Sequence, residues 1–201
     1  MSRHRAEASA RLSPIGRRLF RFIEFDDDEE LLAEIRKHPI GLVFIVVTGV
    51  FIAVVLLIAT MLLAFGLNGS GLEFGDGGGS GTLRAIVVSL GVILAVFAIV
   101  AMIISIILYR SSVVYVTNEK LAEVMYVSLF NRRIMQLGIG NVEDVTVIQK
   151  GILPHIFNYG NLIVETAGEI ANPAFTFVPH PHENSQIIIE AHEEYVKKYG
   201  N

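Results

Sequence analysis

Residues 41–66 read GLVFIVVTGVFIAVVLLIATMLLAFG, and after Arg84 residues 85–109 read AIVVSLGVILAVFAIVAMIISIILY. Neither run carries a charged side chain, and each exceeds the ~20 apolar residues needed to cross the hydrocarbon core of a bilayer. A core helix of a soluble protein keeps a polar stripe, and these runs have none. They predict a transmembrane helical hairpin with spans over 40–66 and 85–109. A glycine-rich extracytoplasmic loop over 67–84 joins them. Its GDGGGSG lacks the Gly-Lys-Ser/Thr ending of a phosphate loop and reads as a flexible connector. No Asp, Glu, Lys, Arg or His lies inside either span, which argues against ion or proton transport by the hairpin alone. Gly91 with Ala95, and Ala101 with Ser105, are small-xxx-small pairs that let helices approach closely, within the hairpin or between two protomers.

The rest of the chain fixes the orientation. The formal net charge of −4 hides an uneven distribution. Arg3, Arg5, Arg11, Arg17, Arg18, Arg21, Arg36 and Lys37 precede the first span, and Arg110, Lys120, Arg132, Arg133, Lys150, Lys197 and Lys198 follow the second. The connecting loop has only Arg84. Short segments rich in Lys and Arg stay in the cytoplasm, so the expected location is the plasma membrane, multi-pass, with both termini cytoplasmic. The first apolar run starts too late for a cleavable signal peptide. The absence of cysteine rules out disulfides and thiolate-ligated metal.

Residues 1–39 read as a cytoplasmic arm, first basic and amphipathic, then acidic. Ser13-Pro14 has the form of an N-cap followed by a first-turn proline. Ile15, Leu19, Phe22 and Ile23 share one helical face, with Arg17, Arg18 and Arg21 opposite. That pattern predicts a helix lying on anionic lipid. Acidic residues at 26–30 then suit a helix start, and Leu31, Leu32 and Ile35 predict a short helix over Asp27–Lys37. The aspartate run reads as a cap or solvated face rather than a metal site.

After Arg110 the texture turns β-branched and aromatic. Strands are expected at Val113–Thr117, Leu121–Phe130, Ile134–Leu137, Val142–Lys150, Leu162–Thr166 and Ala174–Val178, with one irregular stretch over Leu153–Gly160. A helix opening at Pro181, with Ile188, Ala191, Tyr195 and Tyr199 on one face, closes the chain. The expectation for 110–201 is an antiparallel sandwich or small barrel with a C-terminal helix, so the whole is an α+β membrane protein.

Several segments together resemble the bacterial pleckstrin-homology (PH)-like membrane proteins. Tyr115-Val116-Thr117-Asn118 is similar to the family's opening Tyr-x-Thr-Asn hairpin. Ile139 to Val145 resembles its I-x-x-V-x-x-V strand. Phe157 to Thr166 resembles F-x-x-G-x-I/L-x-I/V-x-T, and Val178-Pro179-His180-Pro181 resembles the V-x-x-P lead into the closing helix. Gly138 stands where the family often has proline, and a glycine usual near Val127-Ser128 is missing. The resemblance covers about residues 110–199. It implies a non-enzymatic binding or scaffolding module at the inner face of a bacterial membrane.

Candidate sites are few. Arg17, Arg18, Arg21, Arg132 and Arg133 are the candidate lipid-headgroup residues, although phosphate recognition favours donors converging on one pocket. His180 and His182 have metal-like spacing, but zinc needs three converging ligands, so a helix-capping role beside Pro181 is expected. No Gly-x-Ser-x-Gly, His-Glu-x-x-His or cysteine nucleophile is present, and the expectation is no catalytic, cofactor or metal site. The soluble part is more acidic than basic, against nucleic-acid binding. The expected partners are the bilayer and a protein or a second copy. An anionic-lipid sensor and an accessory subunit of a transport or secretion complex are the alternatives.

Overall fold

A computed structural model describes residues 12–23, 29–69, 79–166 and 172–200. The acidic stretch 24–28 and the loop centre 70–78 lie outside the described residues. The chain divides into two compact units: Leu42–Ile107, and Met1–Gly41 together with Leu108–Asn201. The described elements are α1 (Pro14–Leu19) with a 3-10 turn (Phe20–Phe22), β1 (Leu31–Arg36), α2 (Ile40–Gly69), α3 (Gly79–Arg110), β2 (Val113–Thr117), β3 (Lys120–Tyr126), β4 (Arg132–Gly138), a 3-10 turn (Ile139–Asn141), β5 (Val142–Ile148), α4 (Ile152–Ile156), β6 (Tyr159–Thr166), β7 (Ala174–Pro179) and α5 (Pro181–Tyr199). The protein is thus α+β, with two long apolar helices, antiparallel sheets and a C-terminal helix.

Helices α2 and α3 run beyond the expected spans, through Gly69 and from Gly79. Adding residues to a formed helix is cheap compared with nucleating one, so glycine and serine at its end are carried along. Gly91 lies against Thr60 and Gly49 against Met102; an added Cβ at either glycine would collide with that side chain. Ala95, Ala53 and Ala64 are buried in the same unit. Gly91 and Ala95 therefore pack the helices on each other, while Ala101 and Ser105 are exposed and line a groove with Thr48 and Gly49 of α2. Thr60, Ser89 and Ser105 bond their hydroxyls to Leu56, Ile86 and Ala101 carbonyls of their own helices. Large side chains such as Phe51, Met61, Leu62 and Phe97 point outward, each at least 65% exposed.

The second unit holds a four-stranded sheet in the order β1-β2-β3-β4 and a three-stranded sheet in the order β5-β6-β7, all neighbours antiparallel. Their facing sides share one core, containing Ile35, Val114, Val116 and Leu121 from the first sheet and Val145, Leu162, Val164, Phe175 and Val178 from the second. Ile188 and Ala191 of α5 close it.

β1 corrects the helix expected over Asp27–Lys37. Leu-Leu-Ala-Glu-Ile-Arg is good helix sequence in isolation. Here it pairs along β2, from Leu31 opposite Thr117 to Arg36 opposite Val113, and completes a sheet whose β2 edge would otherwise be bare. The arm thus enters the folded unit. The lead-in is fastened at the far end, where the buried Glu29 carboxylate meets Lys120 Nζ at 2.8 Å. Asn118 Oδ1 accepts from Glu30 N, and Glu30 O accepts from Asn118 N.

Ser13 and Pro14 start α1 as the sequence predicts, Ser13 Oγ accepting from Gly16 N at 2.9 Å. Its apolar face is not left for lipid. Leu19, Phe20 and Ile23 pack with Val113, Tyr115, Ala122 and Val124 on the outer face of the first sheet. Successive β2 residues alternate between this cluster and the inner core, which is why all five are buried. β3 also differs from expectation. It stops at Tyr126, because Val127 N and Ser128 N turn back to Asn131 O, leaving Leu129 and Phe130 on a hairpin tip.

Candidate functional site

Strand parity determines what gathers at one end of the two sheets. Ala33 and Ile35 of β1 point into the inner core, and the same alternation continues to Lys37. Glu123 on β3 follows Leu121 inward, and Arg133 on β4 follows Met135 inward. Lys37 and Glu123 line a narrow crevice with Ile35, Phe175 and Val178 that has room for at most about one water molecule. Burial pushes the Glu123 carboxyl above its usual range, opposed by the charges of Lys37 and Arg133. Burial lowers the Lys37 ammonium, opposed by Glu123.

Beside this crevice lies an aromatic stack. His38 stacks on Tyr159 with ring centroids 5.3 Å apart, and Tyr159 stacks on Phe177 at 5.7 Å. Tyr109 meets Phe177 edge-on at 6.0 Å and donates its hydroxyl to His38 O at 2.7 Å. His38 N donates to Phe177 O at 2.6 Å. Phe177 holds φ +56°, a left-handed backbone unusual for a large side chain, as do Asn158 (φ +48°) and His180 (φ +44°). Asn158 Nδ2 and His180 Nδ1 are 2.9 Å apart. Three such residues around one cluster mark a locally over-determined structure, the kind found at functional positions.

No family model, curated protein or solved structure matches this chain. The site therefore rests on its own geometry.

The arginines expected to act together are divided. Arg132 lies on the outer face, its guanidinium 3.7 Å over the Phe22 ring, in the layer formed by α1. Arg17 and Arg18 are exposed on that helix. Arg133 points the other way, toward Glu123 and Lys37. The Arg21 side chain lies outside the described residues. His180 occupies the N-cap position of α5 without capping it. Its left-handed backbone turns the ring toward Asn158. Among the described residues no group of three His, Cys, Asp or Glu could hold a metal ion.

Lys37–His38, Glu123, Tyr159 and Phe177 lie far apart in the chain, so their convergence escapes sequence reading. Lys37, His38 and Tyr109, each bordering an apolar run, carry a local signal.

The stack is expected to respond to pH through His38. His38 Nδ1 accepts from Ile40 N at 3.2 Å, which requires that nitrogen to be unprotonated. Burial, then the nearby His180, lowers His38 below 6.5. In that window the unfolded chain binds more protons than the folded one. Stability is expected to be full above pH 6.5 and to fall as pH drops toward the lowered folded value. His38→Asn keeps an acceptor without the titration, so its thermal midpoint should depend less on pH. Equal slopes for the two proteins would refute the assignment.

Proposed function

We propose that the chain is a non-enzymatic, two-span protein of the bacterial inner membrane, whose PH-like domain is held against the cytoplasmic face as a docking platform for a protein partner or a second copy. The pairing of Arg36 with Val113 carries this reading. One strand of the domain precedes the hairpin and its neighbour follows it. The two ends of the hairpin therefore belong on one side of the membrane. The outward apolar side chains of α2 and α3 support lipid around them. Arg36, Lys37 and Arg110 at the junction support a cytoplasmic placement. The order of two antiparallel sheets and a closing helix supports the PH-like reading.

The platform offers an edge. Among the described residues β4 ends its sheet and pairs only with β3, which offers one side of its backbone for strand addition by a partner. A photoreactive residue at the exposed Gln136 of β4, irradiated in intact membranes, is expected to give one discrete protein adduct. A self-adduct would assign the edge to a second copy. Adducts to lipid alone, or none, would overturn the platform reading.

A further inference from the structure

Two apolar loops sit at the same end of the domain as its connections to the hairpin. Register places them there. Arg36 is opposite Val113, Val113 opposite Val124, and Tyr126 opposite Arg132, so the β3–β4 tip lies where β1 ends and β2 begins. In the second sheet Tyr159, which opens β6, stacks on His38, so the β5–β6 loop lies there too. At the first tip Phe130 is 99% exposed, beside Val127 and Leu129. In the second loop Ile152 is 78% and Ile156 67% exposed, beside Leu153 and Phe157. Isolated exposed apolar residues are ordinary, but two clusters at one end are not.

Charge follows the same axis. Arg36, Lys37, Arg110, Arg132, Arg133 and Lys150 lie at this end, with Glu123 and Glu183 their acidic neighbours. Glu30, Glu119, Glu143, Asp144 and Glu165 lie at the other, where β2 turns into β3 and β6 ends, together with Lys120, which pairs with Glu29, and with Lys197 and Lys198 in the last turn of α5. Apolar tips within a basic ring match an anionic bilayer surface.

We infer that Val127–Phe130 and Ile152–Phe157 insert into the interface of the membrane that holds the spans, seating the domain face-down on anionic lipid. This rests on the membrane reading above and adds a surface to it. It leaves the far end of α5 in water, because α5 starts beside Tyr159 and runs to Tyr195, which packs against Gly140 beyond β4.

The chain contains no tryptophan, so a single introduced one reports alone. The full chain is reconstituted in phosphatidylcholine–phosphatidylglycerol vesicles, with bromines at defined acyl depths. Phe130→Trp and Ile156→Trp are expected to emit to the blue and to be quenched most by bromines about 5–10 Å below the headgroup boundary. Tyr199→Trp should emit as a water-exposed indole, quenched by acrylamide and not by bromolipid. Phe97→Trp in α3 should be quenched by deep bromines. If Phe97→Trp is quenched while both loop probes respond only to acrylamide, the insertion fails and the spans stand. Loop probes shielded from both quenchers would overturn it in favour of a protein or second copy covering the tips. An unquenched Phe97→Trp would remove the membrane reading and this inference with it.

Discussion

Residues 108–200 expressed alone are expected not to fold, whereas residues 12–41 joined to 108–200 by a short Gly-Ser linker should fold without the hairpin. The first chain lacks β1 and the segment that covers the outer face of the sheet. Leu12, Leu19, Phe20, Ile23, Leu31 and Ile35 are all buried there. At about 1.5–3 kcal/mol for each buried side chain, their loss is on the order of 10 kcal/mol. That is comparable with the whole stability of a typical domain, about 5–15 kcal/mol. The truncated chain would also expose β2, five buried residues long, as a bare β-rich edge open to aggregation. The joined chain restores these contacts. Its linker has little distance to span, because Arg36 and Val113 are already strand partners. Amide dispersion in a two-dimensional NMR spectrum and a cooperative thermal transition are the readouts. Comparable dispersion and midpoint for the two chains would show that β1 is dispensable, and would remove the argument that the domain is stitched across the hairpin.

The same segment shows where sequence reading fails. The apolar runs were legible as helices because uncharged stretches of that length have no turn or breaker signal to interrupt them, and α2 and α3 cover both. Val113–Thr117 was legible because β-branched residues bounded by a turn leave few alternatives, and the observed β2 has those bounds. β1 was not legible. Its residues favour a helix locally, and the pairing that overrides them comes from a strand beyond both apolar helices. The apolar face of α1 was legible in part: Leu19 and Ile23 are buried, but Phe20 takes the buried place expected of Phe22, and the sheet that covers them has no signature in residues 12–23. The β3–β4 tip misled for a related reason. Leu129 and Phe130 continue a strand-like pattern, and only the turn bonds to Asn131 take them out of it. The crevice and stack depend on strand parity and on register between sheets, so neither could be assembled from spacing. What remained hidden is therefore long-range pairing, the same physics that places the candidate site.

Tyr115→Ala is expected to cost about 3–5 kcal/mol, and to release the N-terminal segment before the rest of the domain unfolds. Tyr115 is fully buried at the centre of the outer cluster, its ring centroid 5.5 Å from that of Phe20. Its hydroxyl donates to Gly16 O at 2.6 Å and ties α1 to β2 across both apolar helices. Burial, reinforced by the charge of Glu34, pushes the phenol well above its usual range, so it stays a donor under all ordinary conditions. Glu34 holds the other side of the same joint. Its carboxylate accepts from Ser13 N at 2.8 Å and from Ser13 Oγ, and lies so close to Gly16 that an added Cβ would strike it. Alanine at 115 removes the ring and the donor together. Phenylalanine keeps the ring and removes one of two hydrogen bonds to Gly16 O, which still accepts from Phe20 N, a cost of about 0.5–1.5 kcal/mol. The two variants therefore separate packing from hydrogen bonding. Urea unfolding of the full chain in mild detergent gives the totals, and native-state hydrogen exchange over residues 12–23 gives the local effect. Protection should fall there first in both variants, and further in the alanine. A loss below about 1 kcal/mol for alanine, with protection in residues 12–23 unchanged, would mean that α1 is held by contacts other than Tyr115. The outer layer would then be an accessory to the sheet rather than part of its core.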